Sequence, residues 1–152
     1  MRVRTWMSAV VVANAMVGVL AHAQSPARAE KDLFAAVNQA RHAQFLPSLR
    51  WDESLATAAR RHALVMAEHR TVQHAFDGEP GLLTRVKLAG AHFTWLSENV
   101  TQGQTAESIH AQFMKSPNHR TNILDSDMNS IGIGVVEQNG RLYAVEDFSQ
   151  AH

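Results

Sequence analysis

IGIGVVEQNGRLYAVEDF, residues 131–148, is the stretch of sequence that decides the fold class. Ile131, Ile133 and Val135 alternate with two glycines and a valine, and this period of two is typical of a β-strand. Asn139-Gly140 follows, a pair that favours the positive φ angles of a type I′ turn. The residues after the turn, 142–148, supply a returning strand. The chain is therefore predicted to end in an antiparallel β-hairpin.

Upstream of this hairpin, apolar residues recur at helical spacing. A first helix is predicted around Leu33 and Val37 and ends before Pro47. Asp52 is a candidate N-cap for a second helix, whose alanine-rich stripe indicates close packing against a flat surface such as a sheet. Further helices are predicted over 82–89, 106–113 and 117–124, and a short strand over 71–76. Helices lead and a hairpin closes the chain, which predicts an α+β fold with an antiparallel sheet.

The start of the sequence is typical of a secretory leader. Arg2 and Arg4 precede an uncharged apolar run, and Ala21-His22-Ala23 supplies the small-residue pattern that signal peptidase cleaves. The run is shorter than the ~20 residues that a membrane anchor needs. We therefore expect a signal peptide over 1–23, a tether over 24–31 and one domain over 32–150. We expect an exported protein, periplasmic or extracellular, with no stable membrane anchor after cleavage.

Composition and charge bear on the partner class and on how the domain is stabilised. Removal of residues 1–23 takes away two arginines and no acidic residue, which leaves 12 basic and 14 acidic side chains. That slightly negative balance predicts no nucleic-acid partner. The chain contains no cysteine, so the exported domain is stabilised by packing or by a metal rather than by disulfides.

Three segments combine His or Glu with loop-forming residues: QHAF at 73–76, SENV at 97–100 and SPNHRTNIL at 116–124. In this order, and followed by the IGIGV strand, they resemble the CAP superfamily of cysteine-rich secretory, antigen 5 and pathogenesis-related 1 proteins. The similarity runs from about Leu33 to Phe148 and includes Asn38 and Arg41 in the first helix. The cysteine-free chain is most similar to the disulfide-free bacterial branch of that superfamily.

The resemblance implies a three-layer α-β-α sandwich with a central antiparallel sheet and a cleft that holds two histidines and acidic residues. His74, Glu98 and His119 match the family's positions. A second acidic residue is typical shortly after the first histidine, and either Asp77 or Glu79 fills that place. The family is also linked to lipid or sterol binding, which makes a small ligand or a lipid a possible partner.

The chemistry of such a cluster follows from its side chains. Two neutral imidazoles, His74 and His119, can bind Zn²⁺ or another divalent metal, and a nearby carboxylate can orient a ring. Histidines and carboxylates can also act as acid and base on a bound water, which leaves an extracellular hydrolase or peptidase as an alternative. The sequence has no Gly-x-Ser-x-Gly, no His-Glu-x-x-His and no cysteine nucleophile. An interaction module with an inert cluster is the third interpretation.

Other conspicuous residues have structural interpretations. His62 lies on the apolar stripe of the second helix and is expected at the edge of the core. His42, His69, His92 and His110 are expected to face solvent. Phe93 and Trp95 are expected in an aromatic core, and Asn99 and Asn122 are expected to brace loops.

Overall fold

The computed structural model describes residues 24–151, so the predicted signal peptide lies outside the described residues. Helices and two of the strands make up the first part of the chain, and the β-hairpin comes last. The elements are α1 (Pro26–His42), β1 (Arg50–Trp51), α2 (Glu53–His69), α3 (Leu82–Leu88), β2 (Trp95–Gly103), α4 (Ala106–Lys115), α5 (Pro117–Ile123), β3 (Ser130–Gln138) and β4 (Arg141–Gln150).

The four strands form one sheet in the order β1-β3-β4-β2. The three long strands are antiparallel, as predicted, and the two-residue β1 adds a parallel pair at the β3 edge. The predicted turn is confirmed, because Asn139 and Gly140 have φ angles of 53° and 74°. β2 forms the other edge of the sheet, and this edge carries the candidate site.

Helices cover both faces of the sheet, which confirms the three-layer sandwich. On one face, α2 lies so close to β3 that a Cβ added at Gly132 would be 2.0 Å from the backbone nitrogen of Ala56. The alanines of α2 permit this approach, as the alanine stripe predicted. On the other face, α1, α4 and α5 pack Leu33, Ile109 and Ile123 against the isoleucines of β3.

Two polar residues of α1 hold the helix to the rest of the domain. The side-chain amide of Asn38 exchanges hydrogen bonds with the backbone of Leu49, at 3.2 and 2.8 Å. The guanidinium of Arg41 is buried and donates to the carbonyls of Ile123 and Asp125, at 2.9 and 2.7 Å. Since both carbonyls lie at or just beyond the C-terminal end of α5, Arg41 fixes the helix that carries His119.

The prediction of a tether over 24–31 needs correction, because α1 already begins at Pro26. Proline suits the first helical position, and Ala29 and Glu30 are buried. Glu30 accepts two hydrogen bonds from Arg60 on α2. These partners are distant in sequence, so local composition alone suggested a solvated segment.

The strand predicted over 71–76 is also wrong. This segment is a loop, and side chains take the place of a strand partner: the Gln73 carbonyl lies 2.9 Å from His62 Nε2, and the His74 carbonyl accepts from Arg85 at 3.2 Å. Conversely, residues 97–100 belong to β2. Among residues 24–151, no helix combines the length and apolar character needed to cross a bilayer.

Candidate functional site

The candidate site is built around β2, the edge strand between the two helical layers. Glu98 and Asn99 are consecutive in this strand, so their side chains point to opposite faces of the sheet. Glu98 faces the layer of α2 and α3, and Asn99 faces the layer of α4 and α5. Both side chains are buried. Each of them contacts the segment that carries one of the two predicted histidines.

Glu98 holds His74. The Nδ1 atom of His74 lies 2.8 Å from Glu98 Oε1, and the His74 side chain is 61% exposed while that of Glu98 is 3% exposed. An ionised carboxylate accepts only, so Nδ1 carries the proton and Nε2 is left with its lone pair. The glutamate therefore fixes the tautomer that can bind a metal through Nε2.

Arg85 on α3 neutralises Glu98 and ties down the loop that carries His74. Its guanidinium forms an ion pair with Glu98 Oε2 and donates to the carbonyls of His74 and Pro80, each at 3.2 Å. The Arg85 side chain is only 4% exposed. Sequence reasoning missed this residue, because a lone arginine in a short helix carries no local signal.

The two acidic residues that the sequence left open, Asp77 and Glu79, differ in burial and in contacts. Asp77 is exposed, whereas the Glu79 side chain is 8% exposed and lies 2.7 Å from Nδ1 of the fully buried His62. Glu79 also lies 3.8 Å from Arg85. Glu79 thus joins the buried network rather than His74 directly, and His62 is a core residue, as predicted.

His119 lies on α5, on the other side of β2. Asn99 donates to the His119 carbonyl at 3.1 Å and accepts from the Asn122 amide at 2.8 Å, so both asparagines are braces, as expected. The imidazole stands edge-on to Phe113, with ring centroids 5.2 Å apart. The backbone of His119 is therefore fixed by hydrogen bonds, and its ring is partly buried by an aromatic side chain.

The two histidines influence each other across the edge of the sheet. The hydrogen bond to Glu98 raises the pKa of His74, against the opposing effect of burial. Burial, and then the charge of nearby His74, lower the pKa of His119. Electrostatic coupling of this kind weakens with distance. It agrees with the hydrogen bonds that tie His74 to Glu98 and the His119 backbone to Asn99, two consecutive residues of the edge strand. One imidazole favours its charged form and the other its neutral form.

Two buried carboxyls in β4 complete the surroundings and were missed by sequence reasoning. Glu146 is opposite Asn99 in the strand register and accepts from its amide at 3.1 Å. Burial raises the pKa of Glu146 to about 8. Asp147 is opposite Glu98, and burial, followed by the charge of Glu98, raises the pKa of Asp147 well above its usual value. Consecutive residues of a strand point to opposite faces of the sheet, so the strand pattern did not indicate that both acidic residues are buried.

Two expectations for residues outside the cluster need correction. Trp95 is 62% exposed rather than part of an aromatic core, because β2 begins there at the edge of the sheet. His110 is half-buried rather than solvent-facing. It lines a groove of about 980 Å³ between α1 and α4, together with Arg28, Asp32 and Gln39. Within the described residues, no three His, Cys, Asp or Glu side chains are arranged to hold a metal ion.

The sequence profile of the cysteine-rich secretory protein family, CAP, matches residues 34–148. The chain belongs to the CAP family. The CAP chain is also 31% identical over 109 residues to the uncharacterized protein YkwD of Bacillus subtilis (strain 168). That alignment covers 71% of this chain and 42% of YkwD. The absence of cysteine agrees with the disulfide-free branch.

Solved structures share the fold of this CAP domain. An extracellular protein containing an SCP domain from Bacillus anthracis gives a TM-score of 0.77 at 21% identity, over 82% of this chain and 41% of that one. An outer surface protein from Borrelia burgdorferi gives a TM-score of 0.75 at 21% identity, over 82% and 93% of the two chains. A structure of NaASP2 with Zn²⁺ gives 0.60 at 13% identity, over 87% and 84%. At these identities the likeness shows the fold alone.

Proposed function

We propose that this CAP domain is an exported protein whose cleft binds a divalent metal ion, zinc in the first place, through His74 and His119. The observation that carries the proposal is the hydrogen bond between His74 Nδ1 and Glu98, which leaves Nε2 of an exposed ring free to coordinate. His119, whose lowered pKa keeps its ring neutral, is the second ligand. Neutral imidazole is the form that binds zinc.

Two protein ligands leave coordination positions open. Catalytic zinc sites usually have three protein ligands, and structural sites have four. Since the described residues offer no third His or carboxylate in place, water or a small ligand with an oxygen donor would fill the remaining positions. A moderate affinity that rises when such a ligand is present is the expected behaviour. The solved structure of NaASP2 with Zn²⁺ supports the proposal that this fold accommodates the ion.

The hydrolase alternative has less support. A general base must be free to take a proton from water, but both oxygens of Glu98 are engaged, one by Arg85 and the other by His74. Glu79 is likewise paired with His62. The carboxylates of this cluster therefore orient other groups, and a binding role suits their geometry better than turnover.

Export is proposed on two grounds. The leader-like sequence over 1–23 predicts cleavage before Gln24, and the SCP-domain relative from Bacillus anthracis is described as extracellular. N-terminal sequencing of protein recovered outside the cytoplasm tests this directly. A start at Gln24 would support export, and a start at Met1 would contradict it.

Calorimetric titration with zinc chloride tests the metal site. Wild type at about pH 7.5 should bind one ion, and His74→Ala or His119→Ala should each lose most of the affinity. At about pH 5.5, wild-type binding should weaken, because protons compete for His74.

His92→Ala is the matched control, since His92 is an exposed histidine outside the cluster and its loss should leave the affinity unchanged. Circular dichroism of each variant checks that the fold is intact. Equal affinity in wild type and His119→Ala would refute the site and favour the interaction-module interpretation.

A further inference from the structure

Asp147 is a buried carboxylic side chain beside Glu98 that the proposed metal site does not use. It lies in β4 with 0% exposure, and among residues 24–151 neither of its oxygens has a hydrogen-bond donor within reach. Its register partner is Glu98, on the same face of the sheet. Side chains directly opposite in antiparallel strands have Cβ atoms about 5 Å apart, so the two carboxyls face each other.

The charges around Asp147 do not balance if it is ionised. Its charged neighbours are Glu98 on β2 and Arg85 on α3. Arg85 already pairs with Glu98 and lies 3.8 Å from Glu79. The α2 helix contributes the apolar Leu55 and the backbone of Ala56 above Gly132, the neighbour of Asp147 on β3. Glu79 is paired with the buried His62, so Arg85 faces the two carboxylates of Glu98 and Asp147. Among residues 24–151, an ionised Asp147 would therefore be a buried negative charge without a cation of its own, which is costly.

We infer that Asp147 is protonated in the folded protein and donates its O–H to Glu98, which makes it a positioning residue for His74. A protonated carboxyl has one donor, and the facing Glu98 carboxylate is the acceptor within reach. The raised pKa of Asp147, caused by burial and by the charge of Glu98, agrees with this state.

The consequence concerns the metal ligand. Glu98 is then held by three donors: the guanidinium of Arg85, Nδ1–H of His74 and the O–H of Asp147. Because the Asp147 proton withdraws charge from the carboxylate, it limits how strongly Glu98 favours the charged form of His74. Asp147 thus keeps Glu98 in place while leaving His74 easier to deprotonate for metal binding. This inference deepens the proposed metal site, since His74 is one of its two ligands.

The protonation state is measured directly, without metal. Protein labelled with ¹³C at aspartate carboxyls only should show one protonated carboxyl signal near neutral pH, and this signal should be absent in Asp147→Asn. Aspartate-only labelling keeps Glu146 out of the spectrum. A wild-type spectrum in which every aspartate is ionised overturns the inference.

Two variants with opposite expectations test the positioning role through the pKa of His74, followed by NMR in metal-free protein. Asp147→Asn keeps a donor and changes no charge, so the pKa of His74 should stay the same. Asp147→Val removes the donor, so the pKa of His74 should rise, on the order of half a unit. If Asp147 were ionised, both variants would remove a negative charge and lower the pKa of His74.

These results are independent of zinc binding. A protonated Asp147 together with absent zinc binding would refute the metal site and leave the hydrogen bond to Glu98 standing. An ionised Asp147 together with normal zinc binding would refute the hydrogen bond to Glu98 and leave the metal site standing. Should Asp147→Val fail to fold, the labelled spectrum and Asp147→Asn still decide the question.

Discussion

His74 Nδ1 lies 2.8 Å from Glu98 Oε1, and this contact joins a surface loop to the edge strand of the sheet. Through this contact the folded core determines the orientation and the tautomer of His74. The glutamate is buried and paired with Arg85, so it cannot follow the histidine if the loop moves. The orientation of His74 is therefore a property of the folded core rather than of the loop.

The first prediction concerns the pKa of His74. Glu98→Gln should lower it, because the neutral amide no longer stabilises the imidazolium. Since the folded pKa is raised, the stabilisation from this bond is present below the unperturbed value of about 6.5 and is lost as pH rises through the folded pKa. NMR titration of the ring protons measures the shift. The ring signals of the exposed His42, which lies outside the cluster, serve as the reference in both proteins. An unchanged pKa of His74 in Glu98→Gln would contradict the prediction.

The second prediction concerns Arg85. Arg85→Met should lower the free energy of unfolding by about 3–5 kcal/mol, because it leaves the buried Glu98 without its counter-charge. It also removes the donors to the carbonyls of His74 and Pro80. Urea denaturation measures the loss. The exposed Arg120 offers a control, and Arg120→Met should change the free energy by less than about 0.5 kcal/mol. Similar losses in the two variants would show that Arg85 is not the anchor of the loop.

The third prediction concerns Glu146 and pH. Its pKa is raised to about 8 by burial, so the folded protein keeps a proton that the unfolded chain releases above its ordinary pKa of 4.5. The contribution of the Glu146 carboxyl to the free energy of unfolding is fully present below pH 4.5 and is lost as the pH rises towards 8. Glu146→Gln should therefore be more stable than wild type at about pH 8, by roughly 1 kcal/mol or more, with little difference at about pH 4.5.

Thermal melting across this range measures the effect of Glu146→Gln. The exposed Glu68 in α2 provides the matched control, since Glu68→Gln should give the same pH profile as wild type. A constant difference between Glu146→Gln and wild type at every pH would mean that Glu146 is ionised in the folded protein.

The fourth prediction tests the contact between α2 and the sheet. A Cβ at Gly134 would lie 2.1 Å from the backbone nitrogen of Arg60, so Gly134→Ala must push the helix away. Overpacking against backbone should cost about 3 kcal/mol or more. At Gly81, the N-cap of α3, an added Cβ meets nothing within 4 Å, so Gly81→Ala should cost only about 1 kcal/mol or less, from the weaker N-cap. Chemical denaturation compares the two variants, and equal stability would contradict the close packing.

Much of the fold was predictable because its signals are local. The hairpin followed from strand alternation and the Asn139-Gly140 pair, and both residues do adopt positive φ. The N-cap at Asp52 was predicted and is confirmed, since its side chain accepts from the backbone of Ser54 and Leu55. The predictions for the start of α1 and for the segment at 71–76 were wrong, because these conformations depend on partners distant in sequence. Arg60 binds Glu30 of α1, and Arg85 binds the His74 carbonyl of the loop.

The sequence by itself determined the family, the α+β class and the residue types His74, Glu98 and His119, because these depend on spacing along the chain. Only the tertiary structure decided which side chains touch. It placed Glu79 with His62 and enclosed Asp147 opposite Glu98. Burial and proximity between distant segments set the charge state of a carboxyl, and neither can be predicted from the neighbouring residues in the sequence.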